Sequence, residues 1–170
     1  GSFAIRMAAR HPTRVSSLTV MSPPIRPGDS AARYLSWVEH VREKGVEDWA
    51  RSTMGHRLGA SFPAAGHEWW IKLMGRTPVS TQLGFLAAVP KVDLSPDLEK
   101  IQCPTLVVAS PGNALYPVEQ VRAWQERIRD SRIVTIPGDA YHLAATAPLA
   151  CARAFLEFVD SLAQRGPCNR

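Results

Sequence analysis

The sequence has few cysteines and no long apolar run, and each of these absences excludes a class of protein. Three cysteines occur in 170 residues: Cys103, Cys151 and Cys168. Their odd number and the lack of metal-ligand spacing argue against a disulfide framework and favour a reducing compartment, which predicts a cytoplasmic protein. No stretch of 18 uninterrupted apolar residues occurs, so we expect no membrane-spanning helix and no membrane partner.

The sequence also lacks a cluster of basic residues, although these outnumber the acidic ones. There are 20 Lys and Arg against 15 Asp and Glu, a net charge of +5, and the basic residues stand singly among acidic ones. Binding of nucleic acid would require a cluster of positively charged residues, so we expect no nucleic-acid partner. With 45% hydrophobic residues, the chain is predicted to be globular and one domain long. Its N-terminus shows no signal-peptide pattern.

Strand-like and helix-like segments alternate along the chain. Short runs that are β-branched or continuously apolar predict strands over 15–21, 104–110 and 132–136. Helices are predicted over 3–10, 117–128 and 148–163, with a block of short helices over 31–86, a connector over 89–104 and a loop over 138–146. The apolar stripe of the last helix is predicted to be Ala152, Phe155, Leu156, Val159 and Leu162. This alternation indicates an α/β fold with a parallel sheet.

His142 is the residue best placed for chemistry. It follows the third predicted strand and the turn at Pro137 and Gly138. In open parallel sheets, ligand-binding and catalytic groups gather at the carboxyl ends of the strands. The polar loop over 110–117 follows the preceding strand, so it is expected at the same edge. Position alone does not distinguish a catalytic histidine from a loop histidine that makes a structural hydrogen bond.

Four segments, taken in order, resemble the C-terminal part of an α/β-hydrolase of the enol-lactonase or esterase kind. They are Gly-Ser-Phe-Ala at 1–4, Ala-Ala-Arg-His-Pro-Thr-Arg-Val at 8–15, Cys-Pro-Thr-Leu-Val-Val at 103–108, and Ile-Pro-Gly at 136–138 followed by His142. The resemblance implies parallel strands with flanking helices and a helical cap insertion. It also implies a partial hydrolase core and a cap, with a polar tail after them: core 1–24 and 90–164, cap 25–89, tail 165–170.

The resemblance puts the nucleophile ahead of this sequence. If Ala4 and Pro12 are aligned on the family pattern, Gly1 falls on the second glycine of the Gly-x-Ser-x-Gly elbow. The catalytic serine is then expected two residues before Gly1, and Ser2 is expected to begin the first helix rather than to attack substrate. We therefore expect the isolated chain to be inactive, to need a preceding segment or a partner chain, and to associate through its open sheet edge, as an oligomer for example.

The acid that would orient His142 is altered. Asn113 stands where the family usually has an aspartate, and an amide cannot neutralise the imidazolium that forms during acyl transfer. In the serine-protease template, an Asp→Asn change lowers turnover by roughly 10⁴. Asp29, just past the first predicted strand, is the alternative acid, and Asp139 and Glu119 are weaker candidates. An altered triad is the favoured interpretation.

The resemblance implies hydrolysis of an ester, a lactone or a related acyl bond by a Ser-His-acid mechanism. Leu115 and Tyr116 beside the acid loop, and Trp37 and Trp70 in the cap, are predicted to contact a small-molecule substrate, although helix-spaced tryptophans are also typical of ordinary packing. No metal site and no cofactor are predicted. The alternative is a degenerate, non-catalytic relative that serves as a binding or scaffold protein, which Asn113 favours.

Overall fold

The computed structural model describes residues 1–21 and 23–164, apart from the side chain of Asp29. The predicted tail, with Cys168, lies outside the described residues. The helices are α1 Ser2–Arg10, α2 Ala31–Leu58, α3 Ala64–Gly75, α4 Val79–Ala88, α5 Ser95–Leu98, α6 Val118–Gln125, α7 Leu143–Thr146 and α8 Pro148–Gln164. The strands are β1 Leu18–Met21, β2 Thr105–Ala109 and β3 Ser131–Thr135, and single 3-10 turns lie at Pro12–Arg14, Pro27–Ser30 and Val89–Lys91.

The three strands form one parallel sheet in the order β1-β2-β3, which confirms the predicted fold class. Leu18 of β1 lies opposite Thr105, and Leu106 of β2 lies opposite Arg132 of β3. Every residue of β2 is buried because this strand has a neighbour on each side and apolar clusters on both faces. Its continuously apolar sequence is the pattern expected for a strand covered in this way.

The two faces of the sheet are covered by different helices because successive strand side chains point in opposite directions. Val107 and Ala109 join a cluster with residues of α1, α5 and α6, among them Ile5, Leu98 and Val121. Leu106 and Val108 join a second cluster with residues of α7 and α8: Leu143, Cys151 and Phe158. Cys103 and Cys151 are both buried.

Helices α2, α3 and α4 form a third unit, called here the helical block. They pack around their own apolar cluster, which includes Tyr34, Val41, Trp49, Met54, Leu58, Ile71 and Leu86. Gly45 interrupts α2 with a φ of +84°, a backbone conformation that residues with a side chain rarely adopt. The two halves of α2 therefore run in different directions.

Two predictions about the C-terminal region were wrong. The segment 138–146 is not all loop, because Leu143–Thr146 forms the short helix α7. The buried residues of α8 are Cys151, Ala154 and Phe158. Of the predicted stripe, Leu162 packs against the same cluster, whereas Phe155 and Leu156 are exposed. Both sets have helical spacing, so periodicity alone could not choose between them.

The remaining differences concern the ends of elements. The connector over 89–104 contains the short helix α5. Strand β1 begins at Leu18 rather than at Val15, because its pairing with β2 starts at Leu18. The predicted helical block divides where prolines precede α3 and α4. Among the helices described, none is both long and apolar enough to cross a bilayer.

Candidate active site

The loops that follow β2 and β3 meet at the carboxyl edge of the sheet. The Gly112 N–H donates to the Gly138 carbonyl over 2.9 Å, and the Ser110 hydroxyl donates to the same oxygen. A Cβ at position 112 would lie 2.6 Å from that carbonyl oxygen, so only glycine allows this approach. The two loops are therefore adjacent, as predicted, and hydrogen bonds to the Gly138 carbonyl hold them together.

The backbone of His142 is fixed by the helical block rather than by the sheet. Its N–H donates to the Arg57 carbonyl over 2.8 Å, and the Tyr141 N–H donates to the His56 carbonyl over 3.3 Å. On its other side, the His142 carbonyl accepts the N–H groups of Ala145 and Thr146 at the start of α7. His142 thus lies where the end of α2 meets the end of the sheet.

Two aromatic rings flank the imidazole of His142. Trp70 of α3 stacks on it, with ring centroids 6.0 Å apart and an interplanar angle of 13°. Tyr141 contacts it at a tilt, with centroids 4.9 Å apart. Burial, together with the positive charge of Arg57, lowers the pKa of His142 to about 4. At neutral pH the imidazole is therefore uncharged, which is the form that accepts a proton.

Asn113 is almost completely buried in the loop after β2, with 2% of its surface exposed. Its side-chain oxygen accepts the backbone N–H of Leu115 at 3.0 Å and of Tyr116 at 3.4 Å. Its amide nitrogen is buried and has no hydrogen-bond partner among the described residues. The side-chain oxygen is thus committed to the turn, and the group left over is a donor rather than the acceptor that would orient a histidine.

No carboxylate among the described side chains makes a hydrogen bond with the imidazole. Asp139 instead accepts the Ala60 N–H over 3.1 Å, which ties the loop after β3 to the end of α2. Glu119 is exposed on α6. The third alternative, Asp29, belongs to the turn Pro27–Ser30, and its side chain lies outside what the structure describes.

Arg57 is the residue of this region that the sequence reasoning missed. Its Nε donates to the Thr53 hydroxyl over 3.3 Å, and its guanidinium lies 5.0 Å from the centre of the Trp49 ring. Burial lowers the pKa of Arg57, and nearby Tyr141 acts in the opposite direction, as do two other tyrosines of the region. Helical spacing links Arg57 to Thr53 and Trp49, but no local pattern links it to loop residues more than 50 positions away.

The four predicted substrate contacts fall into two places. Trp37 and Leu115 line a cavity of about 450 Å³ between α2 and the loop after β2. Trp70 stacks on His142, and Tyr116 lies 5.5 Å, centroid to centroid, from Tyr141. The two places adjoin, because Thr53, which lines the cavity, accepts the hydrogen bond from Arg57.

Within 1–21 and 23–164, no group of three or more His, Cys, Asp or Glu side chains has the arrangement of a metal site. The histidines bond elsewhere: His40 pairs with Asp48 at 2.7 Å, and the His67 ring contacts the Gly59 carbonyl at 3.1 Å.

Known proteins resemble this chain over nearly all of its length. A curated relative, the proposed carbamate hydrolase RutD of Caulobacter sp. (strain K31), is 24% identical over 166 residues, which are 94% of this chain and 62% of RutD. No protein-family model matches the sequence. The chain thus spans less than two thirds of the curated relative it matches.

Solved structures match at similar coverage. The enol-lactonase from Burkholderia xenovorans LB400 superposes with a TM-score of 0.83 at 16% identity, covering 92% of this chain and 61% of that one. A thermophilic esterase from Thermogutta terrifontis superposes with a TM-score of 0.80 at 20% identity, covering 94% and 61%. The chain therefore has the C-terminal part of the α/β-hydrolase fold.

Proposed function

We propose that this chain is the histidine-bearing part of a hydrolase that cleaves an ester, a lactone or a related acyl bond of a small molecule. His142 is the general base in this proposal, and the nucleophile is a serine in a segment that precedes Gly1. The helical block, with the adjoining residues of 25–89, is the cap over the substrate. The relatives named as an enol-lactonase, an esterase and a proposed carbamate hydrolase support this reaction class.

In this mechanism His142 moves one proton in each half-reaction. It takes the proton of the serine hydroxyl as the oxygen attacks the substrate carbonyl, and it gives that proton to the leaving oxygen as the acyl bond breaks. It then takes a proton from water, whose oxygen attacks the acyl-enzyme, and returns it to the serine. No metal and no organic cofactor takes part in these steps.

The observation that carries the proposal is the environment of His142 at the strand edge. An imidazole that is half-buried between Trp70 and Tyr141, with its pKa lowered to about 4, is neutral over the physiological pH range. Its backbone is anchored at Arg57, so the ring has a defined position. A general base must be unprotonated and correctly positioned, and a base with a pKa of about 4 is a weak one until a negative charge beside it raises that pKa.

Asn113 makes the proposed enzyme a slow one. Because its oxygen accepts two backbone N–H groups, the amide cannot also accept the imidazole N–H, nor can it balance the imidazolium charge. We propose that Asn113 occupies the acid position without performing the function of an acid, and that Asp29 is the remaining candidate for that function.

The test is hydrolysis of 4-nitrophenyl butyrate and of a simple enol-lactone by the full-length protein. His142→Gln is expected to lower kcat by about 10³- to 10⁴-fold, the range for removal of a general base. His11→Gln, an exposed histidine at the end of α1, is the matched control and should leave kcat unchanged. Equal activity of the wild-type and His142→Gln proteins would exclude His142 as the base.

A second candidate function is ligand binding without turnover. It is favoured by Asn113 at the acid position and by the lack of any described carboxylate bonded to His142. In this case the cavity beside Leu115 binds a small molecule, and the full-length protein hydrolyses neither substrate although it binds them. Binding by calorimetry in the absence of any product would select this function over the first.

A further inference from the structure

Arg57 differs from the paired arginines of the structure. The surface arginines Arg6, Arg51 and Arg127 form ion pairs with Asp97, Glu68 and Glu99 at 2.9, 2.6 and 2.8 Å respectively. Arg57 is half-buried, and no carboxylate of the described residues pairs with it. Its terminal nitrogens are not fully buried, so an anionic ligand can reach a cation that has no anion of its own among the described residues.

The guanidinium of Arg57 has hydrogen-bond donors that no described residue uses. Only its Nε hydrogen bonds within the described residues, to Thr53, while the face of the group lies over the Trp49 ring. The two terminal nitrogens make no hydrogen bond to any described residue. These two nitrogens form the planar fork that binds the two oxygens of a carboxylate.

The position of Arg57 connects it to the proposed reaction. Its carbonyl accepts the His142 N–H, and its positive charge contributes to the lowered pKa of His142. The side chains of Tyr34, Tyr116 and Tyr141 lie near enough to influence its own pKa. An anion bound here would therefore lie among aromatic rings on the same side of the molecule as the imidazole.

We propose that Arg57 binds a carboxylate of the substrate, so that the hydrolase acts on esters or lactones that carry a second, anionic group. This inference rests on the proposed function and names its substrate class. A single guanidinium in a half-buried aromatic setting matches one negative charge. A phosphoryl dianion would leave a second negative charge without a cation in a partly desolvated site.

The kinetic test compares two esters that differ only in the carboxylate: mono-4-nitrophenyl glutarate and 4-nitrophenyl pentanoate. With the full-length protein, Arg57→Gln is expected to lower kcat/KM for the glutarate ester by about 10- to 100-fold, the range for loss of a charged hydrogen bond, mainly through KM. Loss of the Arg57 charge also changes the pKa of His142, which affects both esters alike, so the diagnostic result is a fall of about 10- to 100-fold in the ratio of the two kcat/KM values. Arg57→Lys should recover part of the glutarate preference, since it keeps the charge without the fork.

Arg51→Gln is the matched control. Arg51 is on the same helix but is exposed and paired with Glu68, so its loss should not change the ratio between the two esters. A structural role of Arg57, as a cation over Trp49, predicts that Arg57→Gln lowers kcat/KM for both esters by the same factor. That result would overturn the inference and leave the proposed hydrolysis standing.

A binding measurement makes the inference independent of turnover. Glutarate is titrated into the full-length protein while the ¹⁵N resonance of the Arg57 Nε is followed, assigned by its absence in Arg57→Lys. A saturable shift is expected, with none for pentanol. If glutarate leaves the resonance unchanged up to tens of millimolar, the inference is wrong whether or not the protein hydrolyses esters. If glutarate shifts it but neither ester is hydrolysed, anion binding stands and the proposed function fails.

Discussion

Two regions of the protein have different roles: the α/β sheet with its covering helices, and the helical block. In the sheet, every residue of β2 is buried, and the ends of β2 and β3 determine where the loops of Asn113 and His142 begin. The helical block has a core of its own, separate from the two apolar clusters on the faces of the sheet. The sheet thus determines where the chemistry can occur, and the block determines the environment in which it occurs.

His142 shows the difference most clearly. It follows a strand in sequence, but the carbonyl that accepts its N–H, its stacking partner and the nearby cation all belong to α2 and α3. Changes in the sheet should therefore unfold the protein, whereas changes in the block should alter the properties of the imidazole without unfolding it.

The largest effect is expected from the centre of the sheet. Leu106→Ala removes a side chain that has 0% exposure, and the lost contacts and the cavity should lower the free energy of unfolding by about 2–5 kcal/mol. Leu35→Ala in the helical block, at 66% exposure, should change it by less than about 0.5 kcal/mol. Urea unfolding of both variants measures the difference, and equal losses would mean that the two regions do not differ as described.

A smaller effect is expected from restoring the acid. Asn113→Asp keeps an oxygen for the Leu115 and Tyr116 N–H groups and adds a charge that can stabilise the imidazolium. We expect kcat for ester hydrolysis to rise at least tenfold, within an upper limit of roughly 10⁴. Asp139→Asn, whose parent carboxylate bonds the Ala60 N–H, should leave kcat unchanged. A fall in kcat for Asn113→Asp, in a protein that remains folded, would show that the amide itself is required.

The smallest effect is expected from Trp70, whose ring stacks on the imidazole of His142. Trp70→Leu removes the stacked ring, so the His142 pKa should rise from about 4 toward the ordinary 6.5. Trp69→Leu, at 59% exposure, is the control. Following the imidazole Cε1 proton by NMR against pH measures both. If the His142 pKa were the same in both variants, burial by the helical block would not be the cause of the lowered pKa.

The same lowered pKa has a consequence for stability. Between pH 6.5 and 4 the unfolded chain binds a proton at position 142 that the folded protein does not, so the folded state loses stability as the pH falls through this window. The dependence on pH should be less steep in His142→Gln.

The sequence predicted the parts of the fold that depend on local pattern. The continuous apolar run 104–110 indicated a buried parallel strand, and the observed strand Thr105–Ala109 lies within it. The loop after each strand followed from that assignment, so His142 and Asn113 were named together. The inward face of α8 was not predicted, because two of its faces carry apolar residues at helical spacing.

The remainder of the site depends on contacts between distant residues. Trp70 was named, but its stacking on His142 brings together positions 72 residues apart. Arg57 was not named, since its meaning comes from the tyrosines and the histidine around it, and none of these is near it in sequence. Such clusters are specified by tertiary packing, on which single-sequence periodicity carries no information.

The most direct test of the central claim, that His142 is the base for a serine outside these 170 residues, is labelling of the full-length protein with a fluorophosphonate probe. The account predicts covalent labelling of a serine that precedes Gly1, and labelling at least 100-fold slower in His142→Gln, because the hydroxyl is no longer deprotonated. Labelling at an unchanged rate in His142→Gln, or labelling of Ser2 or another serine within this sequence, would contradict it.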